Sequence, residues 1–119
     1  MNLFEPDDFA DDPYQAGLNQ MGHAVFGAAL ISITMAFTGV WLATFCVGTA
    51  ILIWEVTQRW FRGATLPDYA ADLIYWALGV GLWGQAIHHG SVIGWAQFFP
   101  VAMIGIWCVE YARIVRRWL

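Results

Sequence analysis

Trp54-Glu55-Val56-Thr57-Gln58-Arg59-Trp60-Phe61-Arg62-Gly63-Ala64-Thr65-Leu66-Pro67-Asp68-Tyr69-Ala70-Ala71-Asp72 is the stretch on which the fold turns. It gathers two basic residues, three acidic residues and Gln58 in a chain otherwise nearly free of charge. Apolar runs on either side are each long enough to cross a bilayer. Ionisable groups at the ends of membrane helices are the first place to look for function, because burying them in lipid costs several kcal/mol unless they find partners.

On the N-terminal side, Met21 to Trp60 contains one acidic residue, Glu55, and one basic residue, Arg59. As a single helix this run would be roughly 60 Å long, about twice the hydrocarbon thickness. It must therefore turn back. The break is expected at Thr38-Gly39, flanked by Phe37 and Trp41 as interfacial aromatics. That predicts helices over about 19–37 and 40–60. Arg62-Gly63 marks a loop. Thr65-Leu66-Pro67-Asp68 has capping-box spacing, with proline in the first turn where its missing N–H costs nothing. A third helix over about 68–87 follows, then a turn at His88-His89-Gly90-Ser91, then a fourth helix over about 92–111. The expected fold is all-α, an integral membrane bundle of four transmembrane helices with short loops. Residues 1–18 are expected to form an acidic mobile tail, and residues 19–119 one domain.

Composition agrees with a membrane protein. The 119-residue chain is 60% hydrophobic and 12% charged, where a soluble domain carries roughly 25% charge. Glu5, Asp7, Asp8, Asp11 and Asp12 supply most of the net −4, so the rest is near neutral. There is no basic stripe to hold nucleic acid, and an acidic start is not a secretory signal. The five basic residues, Arg59, Arg62, Arg113, Arg116 and Arg117, all fall on the side of the bundle that holds both termini. The positive-inside rule makes that side the cytoplasmic face of a bacterial inner membrane. Cys46 and Cys108 sit at depths about 15 Å apart along their helices, beyond the ~7 Å Cα separation of a disulfide. Both are expected to be free. Gly27, Ala28, Gly81, Gly84 and other small residues suit close helix packing in lipid.

This topology brings four polar groups to one depth. His23 opens the first helix, Glu55 and Gln58 close the second, and Asp68 and Asp72 open the third. Glu55 and Gln58 share one helix face, Asp68 and Asp72 another. A structural network would pair Glu55 with Arg59 and Arg62 with Asp68. A functional pocket would use His23, Glu55 and Asp72 as candidate catalytic groups, in general-base chemistry or as ligands of a divalent cation. Gln58, Arg62, Asp68 and Arg113 are candidate substrate-binding groups, the arginines toward an anionic head group. No cofactor is assigned. His88 and His89 lie at the opposite end, outside the site.

The order Asn19-Gln20-Met21-Gly22-His23-Ala24-Val25-Phe26-Gly27, then Glu55-x-x-Gln58, then Arg62-Gly63, then Asp72 with Gly79 resembles the VanZ-like membrane family over Asn19 to Gly84. Trp76 stands where that family has Asn. The resemblance implies a role in envelope processes, with His23, Glu55, Gln58, Arg62 and Asp72 at the family's polar positions. The chain also resembles small membrane proteins of tailed bacteriophages. The expectation is a VanZ-like inner-membrane protein that binds or processes a polar lipid or envelope precursor. The alternatives are a holin-like lysis or pore protein, and an accessory subunit of a larger membrane complex. Membrane lipids, further copies of the chain or a larger complex are the expected partners.

Overall fold

The computed structural model describes residues 12–90, 98–117 and 119. Among them are four helices, α1 (Pro13–Met35), α2 (Val40–Phe61), α3 (Leu66–His88) and α4 (Phe98–Arg116), and no strand.

Local chemistry sets the boundaries. The Asp12 side chain accepts the Gln15 N–H, and Pro13 fills the first turn, so α1 starts six residues before the expected Asn19. Residues 13–18 therefore belong to the bundle and not to a tail; the expected tail otherwise lies outside the described residues. Thr65 caps α3 by accepting the Asp68 N–H, as the capping spacing predicts. Gly39 precedes α2 at the expected break. Gly63 (φ 76°) and Gly90 (φ 65°) take the left-handed conformation just past the ends of α2 and α3. The fourth helix reaches Arg116, five residues beyond the expected Tyr111, and the expected start at Val92 lies outside the described residues.

α1 is the central helix. It packs most extensively on α3, then on α4 and α2, and α2 also packs on α3. A Cβ added at Gly79 would stand 2.0 Å from the Ala24 carbonyl oxygen, and one at Gly27 2.9 Å from the Trp76 carbonyl oxygen. Backbones thus meet directly where α1 crosses α3. One apolar cluster joins Ile31, Ala43, Val47, Ile51 and Val80; a second joins Ala24, Tyr75, Met103 and Ile106. Tyr14 and Trp107 form an edge-to-face ring pair, so the start of α1 lies beside the latter half of α4. Trp41 lies near His88 at the other end, beside the start of α2 and the end of α3. Both cysteines are free.

Among the described residues, only α2 is long and apolar enough by its own composition to cross a membrane. α1, α3 and α4 carry the buried polar residues Asn19, Gln20, His23, Asp72 and Glu110, which dilute their apolar character.

Candidate functional site

The crossing of α1 on α3 sets the site. Ala24 rests on Gly79, so the preceding turn of α1 carries Gln20 and His23 onto Asp72 and Trp76 of α3. The short turn from α2 to α3 returns Glu55 to the same level.

Gln20 is the connector. Its Nε2 donates to Asp72 Oδ1 at 2.8 Å, and its Oε1 lies 3.0 Å from His23 Nδ1. Because the Gln20 amide nitrogen is turned to a carboxylate, its oxygen is left to accept, and His23 must donate from Nδ1. That assigns the tautomer: in the neutral ring Nε2 keeps its lone pair. His23 Nδ1 is also 3.4 Å from Asp72 Oδ1. On the other side of the ring, Trp76 Nε1 donates to Glu55 Oε1 at 2.8 Å, and its indole lies 5.2 Å from the imidazole, centroid to centroid. Potential ligand atoms of His23, Glu55 and Asp72 all lie within 4.8 Å of one another. His23 is 3% exposed, Glu55 1% and Asp72 6%.

The structure therefore brings together the three residues singled out as catalytic candidates. It moves one of them inward. His23 does not open α1 but lies ten residues, about 15 Å, from its start. Gln58, one turn after Glu55, is buried, and its Oε1 has no hydrogen-bond partner. Arg62 lies over the Trp54 ring at 5.8 Å, near the end of α2. Asp68 stands in the first turn of α3. Arg113 chelates Glu110 through Nε and Nη2.

The expected Glu55–Arg59 pair is replaced. Arg59 Nη1 donates to the Ala64 carbonyl, while the Arg62 and Ala64 N–H groups both return to the Gln58 carbonyl. Arg59 thus pins the α2–α3 turn, and Trp76 takes its place at Glu55. A second buried group escaped the sequence reading. Glu110, 1% exposed, accepts the Tyr75 hydroxyl at 3.2 Å as well as Arg113. Its signal was the Glu-x-x-Arg spacing on α4, which puts Glu110 and Arg113 on one face. A groove of about 300 Å³ runs past this group, lined by Ala71, Ile74, Tyr75, Val109, Glu110 and Arg113 among others.

Chemically the centre offers a proton-accepting imidazole nitrogen and two carboxylates in an apolar surround, with the unpartnered Gln58 Oε1 one turn along α2 from Glu55. Fold and site define a helical bundle with an acidic histidine centre in its interior. No family model, no curated protein and no solved structure matches the chain.

Proposed function

We propose that the protein is a four-span inner-membrane protein of VanZ-like type, with both termini cytoplasmic, that binds the polar head of a membrane lipid or lipid-linked envelope precursor. The observation that carries this reading is the inversion of polarity. Asn19, Gln20, His23, Glu55, Gln58, Asp72 and Glu110 are buried, while Phe26, Phe45, Ile53, Ile74, Ile104 and other large apolar side chains face outward. Such a surface suits a lipid surround. Few residues in the most apolar stretch of α2 are buried, unlike the core helix of a soluble domain. Its outermost tryptophans, Trp41 and Trp60, are 75% and 78% exposed and nineteen positions apart. That separation is about 29 Å along the helix, the thickness of the hydrocarbon layer. All five arginines lie toward the end where α1 begins and α4 finishes, which favours a cytoplasmic face there.

A lipid suits the groove between α3 and α4, whose apolar wall ends at Glu110 and Arg113. Its acyl or prenyl chain would lie along Ile74 and Val109, with the head group toward Arg113, Tyr75 and the His23 centre. A holin-like pore has no use for a buried His–Gln–Asp chain, and this favours the binding reading.

Mass spectrometry of lipids retained by the detergent-purified protein tests the proposal. The wild-type chain should enrich a polar lipid over bulk membrane, and Arg113→Ala and Asp72→Asn, checked for helix content, should lose it. A lipid complement identical to that of the surrounding membrane in all three proteins would overturn the reading.

A further inference from the structure

We infer that His23, Glu55 and Asp72 form a binding site for one divalent transition-metal ion, zinc or manganese. The inference deepens the proposed reading by stating what the centre holds, and it rests on the same cluster of residues.

Geometry comes first. Three potential ligands from three different helices converge within 4.8 Å, all buried. Metal–ligand bonds of about 2.0–2.2 Å put neighbouring ligand atoms roughly 3.3–3.5 Å apart. The three ligand atoms, all within 4.8 Å of one another, stand little farther apart than that. Small side-chain rotations close the remainder.

Charge comes second. Two carboxylates face each other in an apolar interior, and the groups that bond them, Trp76 Nε1 and Gln20 Nε2, are neutral donors. Arg59 is engaged by the Ala64 carbonyl and Arg113 by Glu110. Two ionised carboxylates so buried repel each other and lose their hydration. A divalent cation cancels both charges at once.

The surroundings supply the third argument. Metal ligands are oriented by partners of their own. Gln20 holds both Asp72 and the Nδ1 edge of His23, leaving Nε2 with its lone pair, and Trp76 holds Glu55. Gln58, one turn along the same face of α2 as Glu55, is likewise buried and keeps an unpartnered Oε1. One imidazole with two or three oxygens suits zinc or manganese.

The test uses the full chain in detergent, stripped with a chelator and then dialysed against zinc or manganese chloride alone. Elemental analysis should find about one ion per chain. The Cys46→Ala/Cys108→Ala double variant should retain it, and X-ray absorption should give nitrogen and oxygen neighbours without sulfur. Glu55→Gln should abolish binding. Gln20→Ala, which leaves every ligand in place, should weaken it about 10–100-fold. Wild-type protein that takes up no ion overturns the site whatever the variants do, as does binding indifferent to Glu55→Gln. Lipid retention measured on the same chelated samples separates the two readings. Metal without lipid would sink the head-group proposal alone, and lipid without metal would sink this one alone.

Discussion

At the residue scale, the partner of Glu55 is the indole of Trp76. The hydrogen bond is part-buried and its acceptor Glu55 is fully buried, so its loss strands that acceptor. Trp76→Phe keeps most of the ring packing and removes the donor; it should cost about 1–3 kcal/mol. Trp41→Phe, at an exposed position, is the control and should cost almost nothing. Reversible unfolding in mixed micelles reads both, and equal losses would show that Trp76 contributes only packing. The sequence made His23, Glu55 and Asp72 legible, because they are rare polar residues at calculable helix depths. It did not reveal Gln20, which looked like one more polar residue before His23. Nor did it reveal Trp76, whose N–H disappears among eight tryptophans. Which of two nearby groups receives a carboxylate depends on helix rotation. Spacing along one helix, which suggested Arg59, says nothing about rotation.

At the element scale, α1 and α3 approach at Ala24 and Gly79, and the site depends on that approach. Gly79→Ala places a methyl group against a backbone carbonyl that has no side-chain freedom to yield. The helices must separate, with a cost of about 1–3 kcal/mol as in other overpacked contacts and a weakened Gln20–Asp72 bond. Gly81→Ala, which meets nothing within 4 Å, should be neutral or slightly stabilising. Thermal unfolding of the pair discriminates; equal behaviour would mean that the crossing point lies elsewhere. Helix number and the turns at Gly39 and Gly63 could be read from span length and glycine chemistry. The early start of α1 could not, because Asp12-Pro13 merges by composition with an acidic lead-in and acts as a cap only through the bond to Gln15.

For the whole molecule, the proposed topology puts the α1–α2 turn and the α2–α3 turn on opposite faces of the membrane. In a cysteine-free background, Arg62→Cys should be labelled from the cytoplasmic side by an impermeant maleimide and Gly39→Cys only from the other side. Labelling of both from one side would remove the membrane-spanning arrangement of α2. A further property follows from the backbone contact at Gly79 taken together with the bond from Gln20 to Asp72. Sliding α1 along α3 by one turn, about 5.4 Å, would break the amide bridge and drive Ala24 out of its notch in the same movement. Two unrelated interactions lock one register. α1 and α3 therefore resist sliding past each other, and a working motion of the bundle falls more easily to a tilt of α2 or α4 against that pair.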